Sequence, residues 1–336
     1  MSQVTRDWSR PAAAIRLRAV VAGVAAALLL TGCAGQRAGD WVLEGDTAGG
    51  DPVVVPAGYR TNAPVRAMCF AGNAIYSAPG SQTAVELRRL GDSGTLLPPV
   101  ELARGSSGVR ALAAAADGRF WAAAASGTQV LEFDQSGARR ELPPHPEGGF
   151  KVIALAWHAG TGRLWAVDRL GHRLLVWRPE HPDEAPVAIG GRGSAPGRFN
   201  FPVDVAVRTG GSVLVLDALN LRVQEFDAGG VFLRTWPAAG EEALERPVRI
   251  AAGVDGSVWV VDDGPGIVRR LEPPAQDLEE WPTAPPGCAG LTFDDHGRLW
   301  AASPLVGRVF VYAGLTDGIE HSQEGDDPPP ATSLDR

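Results

Sequence analysis

Residues 199–236, FNFPVDVAVRTGGSVLVLDALNLRVQEFDAGGVFLRTW, decide the fold. Four short runs rich in Val, Leu, Phe and Trp, at 202–207, 212–217, 222–227 and 231–236, are separated by Thr209-Gly210-Gly211, 218–221 and Ala228-Gly229-Gly230. Apolar runs of this length with Gly and Asp in the gaps are the mark of antiparallel strands, and no long 3.6-residue periodicity competes with them.

Working outward, the same unit returns along the chain. A turn followed by a hydrophobic strand recurs as Asn73-Ala74-Ile75-Tyr76, Gly118-Arg119-Phe120-Trp121, Gly162-Arg163-Leu164-Trp165, Gly211-Ser212-Val213-Leu214, Gly256-Ser257-Val258-Trp259 and Gly297-Arg298-Leu299-Trp300. The last residues of these segments are 45, 44, 49, 45 and 41 apart. A fixed period of this size means a repeat architecture. Four strands repeated six times predict an all-β, six-bladed β-propeller of four-stranded antiparallel blades over 61–318. The sixth copy has strands at 289–293, 299–302 and 308–312 but lacks a fourth. The segment 40–44 or 52–56 is expected to supply it, the second being favoured, so that the ring closes without a bare edge. Trp121, Trp165, Trp259 and Trp300 are expected to pack between blades.

The residues resemble an NHL repeat. In the fourth copy the likeness rests on Pro202-Val203-Asp204-Val205-Ala206-Val207, Gly211, Val215-Leu216-Asp217, Asn220-Leu221-Arg222-Val223 and Phe226-Asp227. Other copies keep Asp168, His172, Arg173 and Trp177; Pro247, Asp255-Gly256 and Asp262; and Asp295, Gly297 and Arg308. WD-type repeats are similar in length, but no Trp-Asp dipeptide occurs in this chain.

Superposed copies place charged groups together. The inner strands begin Pro64-Val65-Arg66, Gly108-Val109-Arg110, Pro202-Val203-Asp204 and Pro247-Val248-Arg249, with Ile153 or Ala154 and Gly290 in the remaining two. All inner strands line one channel, so Arg66, Arg110, Asp204 and Arg249 are expected at one mouth, with Asp168, Asp217 and Asp262 arriving at the same face. Converging guanidinium groups suit a carboxylate, phosphate or acidic peptide. The alternative is an ordinary polar rim, with Asp204 paired to Arg249. For the three aspartates, capping the following loop is favoured over ligand binding.

Propellers resembling this one include the gluconolactonase-like lactone hydrolases, whose resemblance implies a metal held by Glu, Asn and Asp. Only Asp204 stands at such an inner position. Peptide-amidating lyases with similar blades use histidines around zinc. Here His158 and His296 fall in turns at the face opposite His172, while His145, His181 and His321 fall in outer loops or the tail, so no three-histidine site assembles. There is no Gly-Lys-Ser/Thr phosphate loop, no His-Glu-x-x-His and no Gly-x-Ser-x-Gly elbow. The glycine-rich stretch 190–197 lies between blades and opens no helix. No metal or cofactor is expected, and no catalytic residue is assigned.

Composition agrees with a packed, turn-rich domain: 45% of the 336 residues are hydrophobic, 21% are charged, and glycines number 42 and prolines 27. The net charge of −8 argues against a nucleic-acid partner. Arg6, Arg10, Arg16 and Arg18 precede an apolar run at 19–30 that is too short to span a bilayer, the pattern of an export signal over 1–32. Leu30-Thr31-Gly32-Cys33 then resembles the lipobox of bacterial lipoproteins, which implies cleavage before Cys33 and its acylation. Removing 1–32 leaves 27 basic and 38 acidic residues, a net −11. Segment 33–60 reads as a tether and 319–336 as an acidic, Pro-rich tail. Ala34, not aspartate, follows the cysteine, so the resemblance implies an outer-membrane anchor facing the periplasm, or the outer face of the cytoplasmic membrane in a single-membrane cell. Cys69 and Cys288, staggered by five residues or roughly 16 Å in the aligned inner strands, are expected to be free buried thiols.

The combined expectation is a monomeric, membrane-anchored binding or scaffold module for an envelope protein or small anionic ligand. A gluconolactonase-like hydrolase or lyase at the same mouth is the alternative.

Overall fold

A computed structural model describes residues 53–54, 65–71, 74–79, 84–90, 96–104, 108–134, 139–237, 243–272, 283–305 and 308–312, with side chains through residue 104 described only at 67–70. The export and lipobox segments with Cys33, the tether 33–52, the Arg66 side chain and the tail 319–336 lie outside the described residues. Among those described, no helix is long and apolar enough to cross a membrane.

The chain is an all-β propeller. Four strands, β2 (Val65–Ala71), β3 (Ala74–Pro79), β4 (Ala84–Leu90) and β5 (Leu96–Arg104), make one antiparallel sheet in sequential order. The next is β6 (Val109–Ala114), β7 (Phe120–Ala124), β8 (Val130–Phe133) and β9 (Arg139–Glu141). Then come β10 (Val152–His158), β11 (Arg163–Asp168), β12 (Arg173–Trp177) and β13 (Val187–Gly190). The opening stretch supplies β14 (Pro202–Val207), β15 (Val213–Asp217), β16 (Arg222–Phe226) and β17 (Phe232–Trp236). The sheet of β18 (Pro247–Ala252), β19 (Val258–Asp262) and β20 (Ile267–Glu272) has three strands. In the last, β21 (Gly290–Phe293), β22 (Leu299–Ser303) and β23 (Arg308–Tyr312) are completed by β1 (Val53–Val54), which pairs antiparallel with β23.

The expectation of six four-stranded blades is therefore corrected. Five are four-stranded, and residues 273–282, where another outer strand would follow β20, lie outside the described residues. The inner strands touch in turn, β2 to β6, β10, β14, β18, β21 and back to β2, so they enclose one channel.

Packing explains which strands read clearly. Strands β7, β11, β15, β19 and β22 are apolar throughout or nearly so because both faces lie against neighbouring sheets. Trp121 stacks on Trp157 of the next sheet with ring centroids 4.4 Å apart. Trp165 packs with Phe199, Val205 and Phe226, and Trp259 with Leu291, Phe293 and Tyr312, again across sheets. The outer strand β9 is exposed at every residue and polar accordingly.

The same irregularity occurs at the start of β2, β6, β10, β14 and β18, where one residue is skipped in the pairing with the second strand. It corrects the superposition made from sequence. Val65 pairs as Pro202 and Pro247 do, so Arg66 and Arg110 share the bulged position of Val203 and Val248, and Asp204 and Arg249 stand one residue further along. An alignment on Pro-Val-x misses this because Val65 and Val109 take the place of Pro202 and Pro247 just before the bulge, and an apolar residue fits either position.

Candidate site at the channel mouth

The inner strands enclose a channel of about 260 Å³, lined by Arg110, Asp204 and Arg249 among otherwise apolar or small residues such as Ala67, Ala154 and Gly290. An adjoining cavity of about 210 Å³ at one end is bordered by Arg110, Arg169 and Arg249 together with Ile153, Val203 and Ala289. The geometry places Arg110 and Arg249 at the mouth and adds Arg169, which sequence reasoning missed. It follows Asp168 in a loop without a repeat to align; the N–H of Arg169 donates to the Lys151 carbonyl at 3.0 Å, holding that loop over the start of β10.

Among the described residues, none of the three guanidinium groups forms an ion pair. Arg110 Nε donates to the Ala125 carbonyl at 2.8 Å, and Arg249 Nη1 donates to the carbonyl of Val248 at 2.6 Å. Arg169 lies over the Phe201 ring, 5.6 Å from its centroid. Each keeps donors available, and guanidinium forks with unused donors are suited to carboxylate or phosphate.

Asp204 does not pair directly with Arg249. Its carboxylate instead accepts N–H groups from Val205 and, across to the next sheet, Ile250, both at 3.0 Å. Burial raises its pKa above the usual carboxylate range, while the Arg249 charge and these two hydrogen bonds pull it back part of the way.

Asp168, Asp217 and Asp262 end second strands, yet none borders the channel or its mouth, and each is 0% exposed. Asp168 accepts from the N–H groups of Lys151 and Gly171 and from Arg173 Nε. Asp217 accepts from the N–H of Asn200, Asn220 Nδ2, Arg222 Nε and Gln224 Nε2. Asp262 accepts from the N–H groups of Glu245 and Arg246, with Arg269 3.6 Å away. They fasten the incoming strand to the loop that follows, and their candidacy as ligands is withdrawn.

Among the described residues, the channel brings no metal donor set together. Asp204 is the one acidic lining residue described there, and no histidine lines it. Asp294, Asp295 and His296 cluster in the turn between β21 and β22, at the opposite face, but Asp294 already accepts from Arg298 Nε and Trp300 Nε1. His158 is buried with Nε2 2.6 Å from the Gly211 carbonyl. His172 Nδ1 accepts the Phe201 N–H.

Cys69 and Cys288 are free, and Cys288 precedes β21 rather than lying in it. The corrected register makes their stagger four residues, still about 13 Å and too far for a disulfide. Burial pushes the Cys288 thiol up to about 12 and Cys69 upward as well.

No family model matches the chain, and no curated protein matches it at a significant level. Solved structures do resemble it. A gluconolactonase from Xanthomonas campestris aligns at 13% identity over 83% of this chain and 95% of its own, with a TM-score of 0.56. A catalytically inactive virginiamycin B lyase from Staphylococcus aureus, solved with quinupristin, aligns at 14% over 75% and 81%, with a TM-score of 0.54. The WD40 propeller domain of Doa1 aligns at 10% over 76% and 94%, with a TM-score of 0.51. At such identities the likeness is one of fold, shared by two enzymes and a repeat domain alike.

Proposed function

We propose that this chain is an NHL-type propeller that binds an anionic ligand at the channel mouth, exported and held to the membrane through Cys33. The observation that carries the reading is the convergence of Arg110, Arg169 and Arg249 on one cavity without an ion-pair partner among the described residues. The three-stranded sheet is taken as one blade of six. Val53 pairs with Val311 and Val54 with Phe310, so β1 begins at the end of its sheet away from the mouth.

The test is calorimetric titration of citrate and of inorganic phosphate into the mature protein at low salt. We expect saturable binding that weakens with added salt and is lost in an Arg110→Gln, Arg169→Gln, Arg249→Gln triple variant with an unchanged unfolding midpoint. Binding unaffected by the three substitutions would refute the reading.

A second reading, a hydrolase or lyase at the same mouth, rests on Asp204, whose raised pKa suits a proton donor. Lactone hydrolysis by the purified protein that disappears in Asp204→Asn would favour it over the first.

A further inference from the structure

Five of the exposed large apolar side chains, Leu170, Phe201, Leu219, Leu221 and Leu305, stand on the mouth face, in loops between second and third strands or just before an inner strand. The turns of the opposite face expose two valines, Val231 and Val254. Four of the five form a ledge beside the mouth. Phe201 meets His172 edge-on at 4.6 Å and lies under Arg169, and the N–H of Leu219 donates to the carbonyl of Asn200. Leu170 and Leu219 project from this ledge at 63% and 60% exposure.

The backbone gives an independent indication. Among the described residues, the non-glycine residues with left-handed backbones are His172, Phe201 and Leu221, at φ 51°, 51° and 53°; two belong to this ledge and His172 packs against it. The turn geometry itself demands such a φ, because the matching position before β6 is Gly108 at 72° and that before β20 is Gly266 at 74°. Where those repeats use glycine, the ledge carries a phenylalanine and a leucine in a conformation that a Cβ disfavours. Strain retained at an exposed apolar side chain points to use of that side chain.

We infer that the ledge formed by Leu170, Phe201, Leu219 and Leu221 and the arginine mouth together form a docking surface for an acidic peptide segment carrying apolar side chains. Its carboxylates meet Arg110, Arg169 and Arg249, and its apolar groups cover the ledge. Charge complementarity selects this occupant: an exposed apolar patch rimmed by guanidinium groups without an ion-pair partner among the described residues, on an otherwise acidic chain, favours a partner with the opposite charge and matching apolar groups. The inference rests on the anion-binding reading of the mouth.

The experiment measures fluorescence anisotropy of two labelled hexapeptides, one alternating glutamate and leucine and one of glutamate alone, with wild type and with a Leu170→Ser, Leu219→Ser variant. The alternating peptide is expected to bind wild type at least tenfold tighter than hexaglutamate, and the variant to lose that tenfold while holding hexaglutamate unchanged. Equal binding of both peptides, or no effect of the serines, overturns the ledge while leaving the anion mouth intact. Failure of both peptides, together with binding to phosphatidylglycerol vesicles, overturns it in favour of a lipid surface. Failure of both peptides and of citrate removes the mouth reading as well.

Discussion

Replacing Asp217 by alanine should destabilise the propeller by about 4 kcal/mol. The carboxylate is 0% exposed and accepts four hydrogen bonds, at 2.6 Å from the Asn200 N–H, 2.7 Å from Asn220, 2.9 Å from Arg222 and 3.2 Å from Gln224. Removing one partner of a buried ion pair costs about 3–5 kcal/mol because the other charge is stranded. The full cost of four lost hydrogen bonds is not reached. Gln224 Nε2 keeps the Arg198 carbonyl, and Arg222 keeps the carbonyls of Ala195 and Arg198. In urea, with a slope of about 3 kcal/mol per molar, the midpoint should fall by about 1.3 M. Asp263→Ala, which breaks a pair with the largely exposed Arg246, should cost less than about 1 kcal/mol. An Asp217→Ala protein that unfolds within about 0.3 M of wild type but fails to bind citrate would refute the assignment of this residue as a fastener and restore it as a ligand.

Leu221→Gly should raise stability by about 1 kcal/mol in the same urea assay, since relief of a left-handed leucine outweighs the entropy glycine adds to the unfolded chain. A loss of stability would contradict the strain argument. Gly230→Ala should cost about 2 kcal/mol, because φ is 93° and the new methyl would run into the Ile189 side chain; an unchanged midpoint would show that the outer strands yield freely. Sulfate affinity should rise as pH falls through the raised pKa of Asp204, because sulfate keeps its charge there while protonation ends the competition of Asp204 for Arg249, and Asp204→Asn should abolish that dependence. By linkage, the Asp204 contribution to stability is complete below its unfolded value of about 3.9 and declines as pH rises through its higher folded value; the wild-type curve minus that of Asp204→Asn isolates it, and an opposite slope in that difference would refute the desolvation.

The repeat made the sheet order legible because strands such as Val213–Asp217 and Val258–Asp262 are buried on both faces and read as unbroken apolar runs. The outer strand of Arg139–Glu141 left no such trace, being wholly exposed. The segment 52–56, chosen as the closing strand on the need to cover an edge, contains Val53–Val54, which pairs with the last strand. The site was half legible. Arg110 and Arg249 reach one mouth, but alignment on Pro-Val-x set them level although Arg110 occupies the bulge and Arg249 the residue after it. Arg169 sits in a loop whose sequence has no periodicity to align, and Phe201 and Leu221 become unusual only when their backbone angles are known.

The most direct test of the anionic mouth is a crystal structure of the mature protein grown with citrate at low salt. Carboxylate oxygens bonded to at least two of Arg110, Arg169 and Arg249 are predicted, with those side chains otherwise unpaired. Citrate bound elsewhere, or an empty mouth whose arginines are neutralised by the protein's own carboxylates, would contradict the account.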